Sequence, residues 1–91
     1  MKVIITSPCS ASTIIQYGIK SWPIWECEPS KFQWNYEDKD ICFIIEGQAT
    51  ISTQQGNVQV IKAGDLVEFP AGLYCEWEVT KSIKKHYRIG S

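Results

Sequence analysis

From Trp22 to Ile89 the chain is a succession of short runs rich in aromatic and β-branched residues, broken by Gly, Pro, Asn and Asp. This pattern constrains the fold more than any other feature, because such runs favour pleated, half-buried strands and the breakers supply turns. Strands are predicted at about Pro23–Glu28, Lys31–Tyr36, Ile41–Glu46, Ala49–Thr53, Val58–Lys62, Leu66–Phe69, Tyr74–Thr80 and Ile83–Ile89, with a further short one in the opening KVIIT. Gln54–Asn57 reads as a hairpin turn, since Gly and Asn tolerate the positive φ that such turns need. Glu46–Gln48 and Lys62–Asp65 mark two more expected changes of direction. Eight main strands in 91 residues, with almost no helix, predict an all-β sandwich or a small antiparallel barrel. The one helical signal is SPCSASTIIQYG, residues 7–18, with Ser and Thr caps, apolar Ile14, Ile15 and Tyr17, and Gly18 as a stop.

A chain of 91 residues supports one domain around one core. Nine basic and ten acidic side chains leave a net charge of −1, which excludes the basic footprint of a nucleic-acid or anionic-membrane binder. No apolar run approaches the ~20 residues of a membrane span, and the brief VII after Met1-Lys2 is too short for a signal-peptide core, so a cytoplasmic location is expected. Cys9, Cys27, Cys42 and Cys75 contain no C-x-x-C pair. They read as free thiols, most of them buried small hydrophobes.

The glycines and prolines then carry a family likeness. Gly64, Pro70 and Gly72 fit the spacing G-x5-P-x-G-x2-H-x3-N, with Cys75 at the histidine place and Val79 at the asparagine place. Gly47 fits the last glycine of a second motif, G-x5-H-x-H-x3or4-E-x6-G, which puts Asp40 at its acidic place and its two histidines on Trp34 and Tyr36, or on Gln33 and Asn35. On these residues, and on the phrases WPIWECEPSKFQWNY, CFIIEGQATI and GDLVEFPAGLYCEW, the chain resembles the cupin superfamily over about residues 22–87. Within it the chain resembles the small single-domain group related to the cupin domain of (S)-ureidoglycine aminohydrolase. The resemblance implies a small antiparallel β-barrel of jelly-roll type, here with a short N-terminal helical segment.

It also implies where chemistry would lie. A cupin metal site takes three imidazoles and a carboxylate, and this chain offers only Asp40 and Cys75 at those places. No cofactor is therefore expected, and a divalent metal, if bound, would fall on Asp40 and Cys75. Strand alternation turns Trp34 and Tyr36 inward together, and likewise Cys75 and Trp77. Lys85 shares its parity with Ile83, Tyr87 and Ile89 and also faces in, where it needs a carboxylate such as Asp40 or must lose its charge. His86 falls on the opposite, solvated face with Lys84 and Arg88. Glu26, Glu28, Glu46 and Asp65 sit at turns or strand ends, Asp65 as a residue that bonds its own backbone.

The expected ligand-binding set is thus Trp34, Tyr36, Asp40, Cys75, Trp77 and Lys85. The leading expectation is a binding protein for a small organic molecule. One alternative is an enzyme resembling ureidoglycine aminohydrolase that acts on a small nitrogen-containing metabolite, with Cys75 and Lys85 as catalytic candidates. Another is a structural or interaction protein whose barrel is filled by side chains, although Trp, Tyr and Phe at 12% of the chain exceed what a core of this size needs and favour a stacking pocket or a subunit interface. Exposed strands and a small core favour a homodimer.

Overall fold

The computed structural model describes residues 2–90. Its elements are β1 (Ile4–Thr6), α1 (Ala11–Tyr17), a 3-10 turn (Ile19–Ser21), β2 (Ile24–Cys27), β3 (Ser30–Asn35), β4 (Asp40–Thr53), β5 (Val58–Lys62), β6 (Leu66–Phe69) and β7 (Tyr74–Ile89). All pairings are antiparallel. They form one sheet in the order β1-β6-β4-β7-β2, from which β3 joins β7 and β5 joins β4. The all-β antiparallel architecture with a short N-terminal helix expected from the sequence is present.

Two long strands organise it. The first half of β4 pairs with β6 and its second half with β5, while β7 pairs first with β3 and then with β2. Between them β4 and β7 pair along nearly their whole length, from Asp40 opposite Ile89 to Thr53 opposite Cys75. Because each long strand changes partner along its length, the sheet folds over on itself and encloses a single interior.

Here the structure corrects the sequence reading. The expected strands Ile41–Glu46 and Ala49–Thr53 are one strand, as are Tyr74–Thr80 and Ile83–Ile89. Glu46–Gln48 is a bulge instead of a reversal, with register shifts between Ile44 and Ala49. Its effect is visible in burial: Asp40, Cys42 and Ile44 face in on even numbers, and Ala49 and Ile51 face in on odd ones. The extra residues flip the parity while the chain runs on. Gly47 makes the bend possible, with φ +94 and its Cα so close to β7 that a Cβ would strike the carbonyl of Ser82. In β7 the exposed run Thr80–Ser82 imitates a turn in the sequence, yet buried Val79 and Ile83 keep one parity across it.

The Gln54–Asn57 turn and the turn at Gly64 form as expected. Thr53 N–H donates to the Asn57 carbonyl at 2.9 Å. Asp65 accepts from the Lys62 N–H through Oδ2 at 3.0 Å, a turn role. Helix α1 starts on Ser10, whose Oγ accepts from Thr13 N–H at 3.2 Å, and ends on Gly18. None of its residues is buried, but Ile14 packs on a small second cluster of Ile19, Trp22 and Leu66. The main core holds Cys42, Ile44, Ala49, Ile51, Ile61, Val67, Phe69, Cys75, Trp77, Val79 and Ile83. Each fully buried large apolar side chain contributes roughly 1.5–3 kcal/mol.

Candidate functional site: an aromatic cavity with two charged groups

One end of the interior is not filled. A cavity of about 220 Å³ is lined by Trp25, Phe32, Trp34, Tyr36, Asp40, Trp77, Lys85, Tyr87 and Ile89. Four strands supply it. β2 brings Trp25, β3 brings Phe32 and Trp34 with Tyr36 just beyond its end, β4 begins on Asp40, and β7 contributes Trp77, Lys85, Tyr87 and Ile89. Period-two alternation accounts for the even numbers on β3 and the odd numbers on β7. Trp34 and Ile89 stand at the mouth, 52% and 63% exposed.

The walls are ring faces. Phe32 and Trp77 lie nearly parallel at 8° with centroids 6.1 Å apart, and Tyr36 stacks on Phe69 at 4.5 Å and 10°. Trp25 meets both Phe32 and Trp77 edge-on. The Trp77 Nε1–H donates to the Tyr36 hydroxyl at 3.1 Å, fully buried, which fixes both rings. Burial, with the charges of Cys42, Cys75 and Asp40 adding to it, pushes the Tyr36 phenol far above its usual range, so it remains protonated.

Two ionisable groups face this apolar space. The Lys85 side chain is 6% exposed, with Nζ 4.7 Å from the Trp77 ring centre and 4.9 Å from that of Trp25. Cation–π contacts of this kind contribute about 0.5–2 kcal/mol. Removing an ammonium from water costs several kcal/mol, so the rings alone do not offset its burial. Asp40 is 8% exposed, and its Oδ1 is buried with no hydrogen-bond partner. Burial raises the Asp40 carboxyl above its usual range, and the Lys85 charge pulls it the other way. The two groups therefore sense each other, but they form no ion pair. Among the described residues ion pairs join Lys31 to Glu76, Lys39 to Glu68 and Lys62 to Asp65, all outside the cavity.

Of the six residues expected to bind ligand, Trp34, Tyr36, Asp40, Trp77 and Lys85 surround this one cavity. Cys75 does not line it. Its short side chain ends in the core cluster, 1% exposed, and burial pushes the thiol up to about 11 despite the opposing pull of Lys85. Cys42, in the same core cluster, is likewise pushed up to about 11 by burial. His86 lies on the outer face as expected, half-buried, and its Nδ1–H donates to the Trp22 carbonyl at 2.9 Å. The sequence reading missed Trp25, Phe32, Tyr87 and Ile89. Phe32 shares parity with Trp34 and Tyr36, and Tyr87 and Ile89 with Lys85, so alternation alone could have found those three. Trp25 is brought in by its register opposite Lys85, which no local pattern encodes.

The donor set does not fit a divalent cation. Among the described residues no three His, Cys, Asp or Glu side chains converge. The places that carry histidine in the cupin motifs hold an indole, a phenol and a thiol turned into the core.

Residues 16–87 match the EutQ-like cupin domain family. The chain belongs to this family. A DUF861 family protein from Thermotoga maritima is 39% identical, with a TM-score of 0.94, over 97% of this chain and 99% of its own. The Clostridium difficile EutQ protein shares the fold at 21% identity and a TM-score of 0.67, over 74% of this chain and 52% of that one. A DUF861 family protein from Pseudomonas syringae does so at 24% identity and a TM-score of 0.67, over 72% of this chain and 28% of its own. The present chain therefore spans about half the length of the Clostridium EutQ protein. No curated protein matches it. The finer resemblance to the ureidoglycine aminohydrolase group is not shown by these matches. In this EutQ-like cupin domain no helix of the described residues is long and apolar enough to cross a membrane.

Proposed function

We propose that this cupin domain binds a small organic molecule in the aromatic cavity, with Asp40 and Lys85 as its polar contacts. The observation that carries the reading is the pair itself: two ionisable side chains, each more than nine-tenths buried, line an apolar space, Asp40 with a buried Oδ1 that has no hydrogen-bond partner and Lys85 with its ammonium against the Trp25 and Trp77 rings. A buried polar group without a partner costs about 1–3 kcal/mol, and a ligand that satisfies it recovers that amount. The cavity lies below the roughly 300–1,000 Å³ of drug-sized sites, which limits the ligand to a ring or two.

The enzymatic alternative, turnover of a small nitrogen-containing metabolite with Cys75 and Lys85 as chemical groups, has less support. The Cys75 thiol is held protonated and away from the cavity, and the Asp40 and Cys75 pair is too poor in donors for a metal. A filled barrel also has less support, because the open space is lined by five of the six expected residues.

The test is a screen of uncharged and singly charged monocyclic compounds against the isotope-labelled chain. Saturable shifts confined to the indole N–H signals of Trp25 and Trp77 and their neighbours are expected. Shifts scattered over the surface, or none at millimolar concentration, would overturn the reading.

A further inference from the structure

The electrostatic layout of the cavity limits the kind of molecule it takes, and this step rests on the ligand-pocket reading above. Asp40 Oδ1 is buried and needs a hydrogen-bond donor. The Lys85 ammonium has only ring faces for company and needs an acceptor. Both line the one cavity, Asp40 at the start of β4 and Lys85 on β7, where it lies opposite Ile44, four residues along β4 from Asp40.

We propose that the ligand is an uncharged, flat molecule of the lactam or carboxamide class, its N–H donating to Asp40 and its carbonyl accepting from Lys85. A singly charged ligand meets one like charge in this space, so the attraction of one group is opposed by the other. A zwitterion satisfies both charges, but it brings two more ions out of water against walls made of Trp, Phe and Tyr rings. A neutral amide edge supplies one donor and one acceptor side by side, and a planar ring behind it packs among the Trp25, Phe32 and Trp77 side chains that line the cavity. A flat hydrocarbon without that edge would leave both groups unsatisfied.

The test titrates the full chain with ring compounds of matched size, followed by NMR. The set is 2-pyridone as lactam, anisole as uncharged ring without an amide, benzoate, benzylammonium and zwitterionic phenylalanine. Tightest binding of 2-pyridone, at least tenfold ahead of each of the others, is expected. Lys85→Met and Asp40→Leu should each weaken it by tenfold or more, with circular dichroism confirming that both variants remain folded; if one does not fold, the other carries the comparison. Tighter binding of benzoate, benzylammonium or phenylalanine would overturn the inference and leave the pocket standing. So would equal binding of anisole and 2-pyridone, or 2-pyridone binding indifferent to either variant. If no compound perturbs Trp25 or Trp77, the ligand-pocket reading itself falls.

Discussion

Replacing Gly47 by alanine would attack the bulge that lets β4 stay paired with β7 through its bend. Two costs arise. A side chain at φ +94 carries about 1–2 kcal/mol of backbone strain. In addition the new Cβ would strike the Ser82 carbonyl, lying 2.7 Å from its carbon and 2.8 Å from the Lys81 oxygen. These are backbone atoms, so no rotamer change relieves the clash, and forcing the strands apart adds overpacking of about 1–3 kcal/mol. Gly64 provides the control, because at φ +95 it has no atom within 4 Å of where its Cβ would stand. Gly64→Ala therefore bears strain alone. The gain from stiffening the unfolded chain, about 0.4–1 kcal/mol, is common to both variants and cancels in their difference. Urea unfolding should place Gly47→Ala about 1–3 kcal/mol below Gly64→Ala. A domain of this size has roughly 5–15 kcal/mol in hand, so failure of Gly47→Ala alone to fold is the same result at its extreme. Equal losses in the two variants would refute the assignment of Gly47 to a sterically closed bulge.

Further expectations follow from the interior. Tyr36→Phe keeps the ring stack but leaves the Trp77 Nε1–H buried without an acceptor, so a loss of about 1–3 kcal/mol is expected in urea unfolding; a change below about 0.5 kcal/mol would mean that the indole finds another partner. Cys42 and Cys75 start from 9.0 unfolded and lie at about 11 folded. Each thus holds its full contribution below pH 9 and loses about 2–3 kcal/mol as pH rises through 11. An unfolding midpoint that stays level from pH 8 to 11 would contradict this, as would rapid alkylation of Cys75 at neutral pH ahead of the less buried Cys9 and Cys27. We also propose a homodimer, with exposed Val58 and Val60 on β5 and Ile4 on β1 as apolar strand surface open to a second copy. Light scattering at micromolar concentration should give twice the chain mass, and a single monomeric species would refute it.

The strands and their inward faces were largely legible, because alternation is a local property of the chain. Trp34, Tyr36, Trp77 and Lys85 could be aimed into one interior from parity alone. What failed was continuity. Glu46-Gly47-Gln48 and Thr80-Lys81-Ser82 have the composition of turns, and only pairing with a distant strand decides whether the backbone reverses or runs on. Cys75 had the right parity and the wrong depth: alternation fixes the side of the sheet, not how far a two-atom side chain reaches. The missing contact between Asp40 and Lys85 is likewise a matter of distance that no spacing in the sequence expresses.

The central place of β7 has a consequence for synthesis on the ribosome. β2 and β3 pair with it, β4 pairs with it along one edge, and on that edge the partners of Asp40 and Ile41 come as late as Ile89 and Arg88. β2, β3 and the β7-facing edge of β4 therefore emerge unpaired, and the sheet cannot close until nearly the last residues described here have cleared the exit tunnel. Such long-range closure is slow, so the nascent segment depends on its turns and its lysines to avoid sticking to its neighbours before the final strand arrives.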